Sequence, residues 1–215
     1  MTTALREEIC RVGASLYARG YVHASAGNIS VRTDTGYLIT PTDACLGHLD
    51  PARLAEVDLQ GQQTAGDRAS KTLALHRRIY GADAHARCVI HTHSTHLVAL
   101  TLAGVWSPDD ILPPITPYFV MKVGHVPLIR YRRPGDPEAG EEVARRIETM
   151  MANGTPIRAV MLDRLGPNVW HRSPAEASAV LEELEETARL WQRVRPEPLT
   201  PAQIDELRVH FGARW

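Results

Sequence analysis

Arg87-Cys88-Val89-Ile90-His91-Thr92-His93-Ser94-Thr95-His96 is a short apolar run that ends in a histidine pair and continues into hydroxyls and another histidine. In an extended strand alternate side chains share a face, so His91 and His93 can both reach one metal ion. A plain core strand ends in a turn, whereas one that ends in imidazoles places a site at the rim of a sheet. Two such ligands suit Zn2+, Mn2+ or Fe2+, and a catalytic zinc centre needs a third protein ligand and an open position. His96 is the nearest candidate in sequence, with His76, His125 and His171 further away.

Upstream of the histidines, Leu5, Ile9, Val12 and Leu16 recur at helical spacing, and Arg19-Gly20 closes that pattern. Residues 28–32 and 37–40 read as strands of a hairpin around the turn Thr33-Asp34-Thr35-Gly36. Ser70 is placed to cap a helix running through Lys71, Leu75 and Ile79 to Tyr80, stopped by Gly81. Downstream, a helix over about 95–103 gives way to a segment, 105–118, that Pro108, Pro113, Pro114 and Pro117 keep irregular. Residues 126–129 and 157–162 read as strands, with a helix over 138–151 between them.

Ser173-Pro174-Ala175-Glu176 combines an N-cap serine, an N1 proline and an N3 glutamate. Leu181, Leu184, Ala188 and Trp191 line one face of the helix that follows, and Glu182-Glu183 with Glu185-Glu186 predict a solvated face. Past Arg195-Pro196-Glu197-Pro198 only a short helix over 201–211 is expected. This divides the chain into one domain, 1–195, and an arm, 196–215. Helices mixed with hairpin-linked strands predict an α/β fold of three layers, α/β/α, with a mixed, largely antiparallel central sheet.

With 215 residues and 44% hydrophobic content the chain can bury one sizeable core. A net charge of −1 gives no reason to expect nucleic acid or an anionic membrane as partner. Cys10, Cys45 and Cys88 form no CxxC and read as reduced, buried thiols of a cytoplasmic protein. Residues 1–8 are acidic and amphipathic, unlike a signal peptide, and no run reaches membrane-spanning length.

Three further stretches bear on chemistry. In Ser25-Ala26-Gly27-Asn28, glycine lets backbone N–H groups approach an anion and asparagine adds a donor, although a simple turn uses the same residues. Thr40-Pro41-Thr42-Asp43 follows a strand and offers hydroxyls and free N–H groups suited to phosphate, or equally an Asx or ST turn. Ser70-Lys71-Thr72 opens a helix, where unpaired N–H groups and a lysine clamp an anion, or where a serine cap merely sits beside a surface lysine.

The order Gly27-Asn28, Thr40-Pro41-Thr42-Asp43, Ser70-Lys71, His91-Thr92-His93 and Tyr118 resembles the class II aldolase/adducin family over about residues 5–192. Pro41-Thr42-Asp43-Ala44-Cys45-Leu46-Gly47, Ser70-Lys71-Thr72-Leu73-Ala74-Leu75-His76, Val123-Gly124-His125-Val126-Pro127-Leu128 and Tyr131-Arg132-Arg133-Pro134-Gly135-Asp136 are similar to its 3-oxo-tetronate 4-phosphate decarboxylases. The resemblance implies a phosphate pocket of Gly27, Asn28, Thr42, Asp43, Ser70 and Lys71, and a divalent metal on His91 and His93, Zn2+ before Mn2+ or Fe2+. It implies a homotetramer in which Tyr118 reaches a neighbour's site. Catalytic duties fall to Lys71, for charge, and Tyr118, as a candidate proton donor. Thr72 occupies the position where aldolase relatives carry a Glu or Asp acid/base, and Leu165 the position of a third metal histidine. Decarboxylation of a β-keto acid needs no base to remove a carbon-bound proton, so this family member is expected to release CO2 from 3-oxo-tetronate 4-phosphate through a metal-stabilised enediolate. An aldolase, an epimerase, a dehydratase or a silent adducin-like scaffold are the alternatives.

Overall fold

Cys88–His91 is buried along its whole length and forms the fifth of eight strands, β5. The computed structural model describes residues 3–215. Met1 and Thr2, part of the acidic start of the chain, lie outside the described residues. The helix α1, Thr3–Ala18, leads into a hairpin of β1, Asn28–Arg32, and β2, Gly36–Ile39. Two short strands follow, β3, Ala55–Asp58, and β4, Gln63–Ala65. Then come α2, Leu73–Ala82, β5, and α3, Thr95–Ala103. The second half holds β6, Leu128–Ile129, α4, Pro137–Ala152, β7, Ala159–Leu162, and β8, Gly166–His171. It ends with α5, Pro174–Val194, and α6, Pro201–Phe211.

The sheet order is β4-β3-β2-β1-β5-β8-β7-β6, and only the β6–β7 pair is parallel. Period-2 alternation assigns the two faces. Ile29, Val31, Cys88, Ile90 and Val169 point into a core shared with Ile9 and Leu16 of α1, Leu97 of α3 and Leu181 of α5. Val89, Val160 and Trp170 point the other way, onto Leu73 and Ile79 of α2 and Val143 and Ile147 of α4. The result is the expected three-layer α/β/α arrangement with a mixed, largely antiparallel sheet.

Several local expectations need correction. Thr72, not Ser70, is the N-cap of α2, because residues 70–72 are held as a turn in which the Ser70 and Thr72 hydroxyls bond each other at 2.7 Å. The predicted strand 126–129 shrinks to Leu128–Ile129, and 157–162 to Ala159–Leu162. Strands β3, β4 and β8 carry no clear sequence signal, since each contains charged, amide or proline residues that a strand reading penalises. Of the three thiols only Cys88 is buried; Cys10 and Cys45 are partly exposed, and all three are free. Segment 105–116 has no helix or strand, as its prolines dictate, but Pro117 and Tyr118 are already helical and run into a π-type turn, Phe119–Val123. Leu207 of α6 and Ala213 pack against Val120 of that turn, with Trp215 beside them.

Candidate functional site

Asn28 of β1 and Asn168 of β8 are the register partners of His91 on either side of β5. Directly opposed residues in antiparallel strands point to the same face with Cβ atoms about 4.5–5.5 Å apart. Asn28, His91 and Asn168 therefore form one polar row across three strands, on the α2/α4 face, and all three are buried. Two glycines allow this close approach. A Cβ on Gly27 would lie 2.9 Å from the His91 carbonyl oxygen, and one on Gly166 only 1.9 Å from that of Thr92; both glycines have positive φ.

The His91 ring is fixed by its neighbour strand. Its Nδ1 lies 2.9 Å from the Pro167 carbonyl oxygen, which can only accept, so Nδ1 carries the proton and Nε2 is left as a free ligand atom. Burial, with a contribution from His93, pushes the His91 pKa down to about 4. The His93 ring lies 5.1 Å from that of His91, centroid to centroid, and 6.4 Å from that of His23. Burial and then the proximity of His23 lower the His93 pKa as well. Neutral imidazoles are the form that binds a cation.

No motif in the sequence points to His23; it sits in the turn between α1 and β1, and only tertiary folding brings it near His93. His96, the expected third imidazole, goes elsewhere: its Nδ1 faces Gln192 at 3.2 Å. His125 pairs with Asp110 at 2.7 Å and His171 with Glu176 at 2.9 Å. The glutamate face predicted on α5 is also corrected. Glu185 is buried, and its carboxylate accepts the backbone N–H groups of His96 and Leu97 at 2.9 and 3.1 Å, capping α3.

Beneath the polar row lies a second buried chain. The Tyr80 hydroxyl donates to the Ser30 carbonyl at 2.9 Å, and Ser30 Oγ lies 2.7 Å from the same phenol oxygen and 2.8 Å from His76 Nδ1. With the phenol proton committed, the Ser30 hydroxyl donates to Tyr80 and accepts from His76 Nδ1–H. The proton of His76 is thereby placed on Nδ1, and burial pushes its pKa down to about 3. Its Nε2 is a buried acceptor with no partner.

The two phosphate-type loops are tied together. Pro41 and Ala69 form an antiparallel bridge, Thr42 N–H donates to the Arg68 carbonyl at 2.8 Å, and Ser70 N–H to that of Thr40 at 3.4 Å. Thr42, Ser70, Lys71 and Thr72 consequently line one cavity of about 560 Å³ together with His91 and Asn168. Arg130, Arg132 and Arg133 also line it, as does Leu165 at the position where the resemblance leads one to expect a histidine. The other expected residues sit around this cavity rather than on its wall. Gly27 and Asn28 support His91 from β1, and Asp43, at φ 57°, borders a neighbouring cavity of about 500 Å³ with Thr42. Tyr118 is 61% exposed at the head of the π-type turn, away from the cavity of its own chain.

Residues 7–192 match the family described as the Class II Aldolase and Adducin N-terminal domain. The chain belongs to this family. It is 59% identical to a 3-oxo-tetronate 4-phosphate decarboxylase of Cupriavidus necator over 98% of this chain and 97% of that one. The crystal structure of Escherichia coli YgbL superposes with a TM-score of 0.87 at 39% identity, covering 96% of this chain and 98% of the other. The L-fuculose-1-phosphate aldolase of Thermus thermophilus gives a TM-score of 0.73 at 30% identity, over 90% and 98% of the two chains. Within this class II aldolase frame, a cavity that joins hydroxyls and a lysine to a pinned histidine can hold an anionic, oxygen-rich substrate and polarise it.

Proposed function

We propose that the protein is a carboxy-lyase that converts 3-oxo-tetronate 4-phosphate to dihydroxyacetone phosphate and CO2. The observation that carries this reading is the single cavity shared by Thr42, Ser70 and Lys71, which suit a phosphate, and His91, which suits a metal-polarised keto acid. The near full-length likeness to curated decarboxylases supports it.

Among the described residues no three His, Cys, Asp or Glu side chains converge as a metal cluster. The donor set is two imidazoles, His91 with a free Nε2 and His93 beside it. That set fits a divalent ion such as Zn2+, Mn2+ or Fe2+ when its other positions take neutral oxygens. When bound, such an ion supplies positive charge next to the substrate oxygens.

The chain's own residues do the rest. Thr42, Ser70 and Lys71 hold the phosphate with hydroxyls and a cation, and Gly27 and Asn28 keep β1 pressed against His91. Thr72, in place of a carboxylate base, bonds Ser70 and shapes the phosphate turn. Loss of CO2 leaves its electron pair on the substrate, so the site must stabilise an enediolate and return one proton to carbon. In this reading Tyr118, exposed on its own chain, delivers that proton in a neighbour's cavity, within the homotetramer that the family resemblance implies. A phosphorylated sugar acid is met in the cytoplasm, where this reading places the enzyme. No helix among the described residues is long and apolar enough to cross a membrane.

The test is release of dihydroxyacetone phosphate from 3-oxo-tetronate 4-phosphate, read by a coupled NADH assay with and without chelator. Turnover that chelator abolishes is expected. Cleavage of a sugar phosphate to an aldehyde, with no CO2 released, would assign the site to aldol chemistry instead.

A further inference from the structure

The arm beyond residue 195 adds nothing to the wall of the 560 Å³ cavity. Its contacts gather on the π-type turn Phe119–Val123, at whose head Tyr118 stands. That turn closes with an i to i+5 bond, from Gly124 N–H to the Phe119 carbonyl at 2.9 Å. This geometry is rare and usually sits inside a longer helix, so a lone turn of this kind depends on what packs against it. Phe119 and Val123 secure its inner side in the core that holds α5. Its outer side is Val120, only 1% exposed because Leu207 of α6 and Ala213 lie over it.

Trp215 ties the two ends of the turn together. Its ring packs edge-on to Phe119 at 5.6 Å and lies stacked on His125 at 4.4 Å, centroid to centroid. His125 is itself fixed, with Nδ1 2.7 Å from the Asp110 carboxylate, whose other oxygen accepts Val126 N–H at 3.0 Å. The arm is pinned near both its ends. Leu199 N–H donates to the Pro114 carbonyl at 2.8 Å, and Arg208 Nε to the Trp215 backbone oxygen at 3.1 Å.

We propose that the arm, 196–215, is the positioning element for Tyr118, acting through Trp215 and Leu207. This rests on the reading of Tyr118 as proton donor in a neighbour's cavity. A donor on an exposed turn works across a subunit boundary only if the backbone beneath it is held, since a misplacement of about 1 Å costs about a hundredfold in rate. Trp215 and Leu207 are positioning residues and touch no substrate.

The experiment compares wild type, Trp215→Ala, Trp215→Phe, Tyr118→Phe and the Trp215→Ala/Tyr118→Phe double variant. Decarboxylase kinetics, amide hydrogen exchange over 114–125 and oligomeric mass are read on each. Trp215→Ala should speed exchange at Val120 and Gly124 and lower kcat about tenfold to a hundredfold, with KM within about twofold of wild type. Trp215→Phe keeps an aromatic ring on His125 and should recover most of the turnover. In the Tyr118→Phe background, Trp215→Ala should change kcat less than about twofold, because the group it positions is gone. Unchanged exchange in folded Trp215→Ala would overturn the proposal, as would multiplicative losses in the double variant or a Trp215→Ala protein that falls apart into monomers. Should Trp215→Ala not fold, Leu207→Ala takes its place in the same cycle, with the same outcomes. A Tyr118→Phe enzyme as fast as wild type overturns the Tyr118 reading and this inference together, yet leaves the decarboxylase assignment standing.

Discussion

The Glu185 carboxylate, in the middle of α5, accepts two of the free backbone N–H groups in the first turn of α3, those of His96 and Leu97. A helix start normally finds such acceptors in its own preceding residues, but Ser94, the N-cap of α3, makes no side-chain cap bond. Its hydroxyl is instead 2.6 Å from that of Thr92. The long helix therefore caps the short one from across the core, a few residues beyond His93.

Replacing Glu185 with Ala leaves two buried N–H groups without an acceptor. A loss of about 2–4 kcal/mol in unfolding free energy is expected, from the cost of stranding donors that met a charged group. Glu185→Gln keeps one acceptor oxygen and should lose about half as much. Urea unfolding of both variants checks this; equal stability of all three proteins would show that the cap contributes nothing.

His91→Ala should remove metal content and turnover together, because it deletes the imidazole whose Nε2 the Pro167 carbonyl holds free. Metal analysis and the coupled assay on the same preparation decide the point. An alanine variant that retains both would move the ion away from β5.

Lys71 is exposed at the mouth of the turn before α2, so Lys71→Ala should leave the melting temperature unchanged. A charge-assisted contact to phosphate contributes about 1.5–3 kcal/mol, which corresponds to a rise in KM of roughly tenfold to a hundredfold. An unchanged KM removes Lys71 from the anion site.

The two buried histidines make an acid-sensitivity prediction. His76 and His91 fall from an ordinary 6.5 to about 3 and about 4. Between about pH 4 and 6.5 the unfolded chain binds protons there that the folded chain refuses. Metal-free protein should accordingly lose stability as pH falls through that window, by up to about 1.4 kcal/mol per pH unit for each histidine, and the loss should level off above 6.5. Denaturant midpoints from pH 4.5 to 7.5 measure the slope, and His76→Gln should flatten it.

The fold was legible where one physical signal dominated. The apolar run before His91, the helical spacing in α1 and the Ser173–Glu176 cap each announce an element without help from tertiary structure. Strand β8 escaped because Gly166-Pro167-Asn168 looks like a turn, and only the pairing of β5 with it gives those residues a purpose. The site was half legible for the same reason. His91, Thr42, Ser70 and Lys71 lie in contiguous motifs, whereas the placing of His23, Asn168 and the buried Tyr80–Ser30–His76 chain arises from strand register and packing. Glu185 misled because a glutamate on an amphipathic helix is solvated unless another helix start happens to face it.

Gly166 offers the sharpest test of how tightly this corner is built. It adopts φ 138°, in the region that side chains avoid, and a Cβ there would collide with the Thr92 carbonyl oxygen and approach His93 Cα. Gly166→Ala can relax only by parting β8 from the end of β5. That separation would shift Pro167, which holds the His91 ring, and Asn168 with it. The variant should lose about 2–4 kcal/mol of stability, and its metal affinity should fall further than that of an equally destabilised variant elsewhere, such as Glu185→Ala. Comparing the two at matched stability separates local geometry from global loss. Equal metal affinity in both would mean that the Gly166 backbone has no part in aligning the histidines.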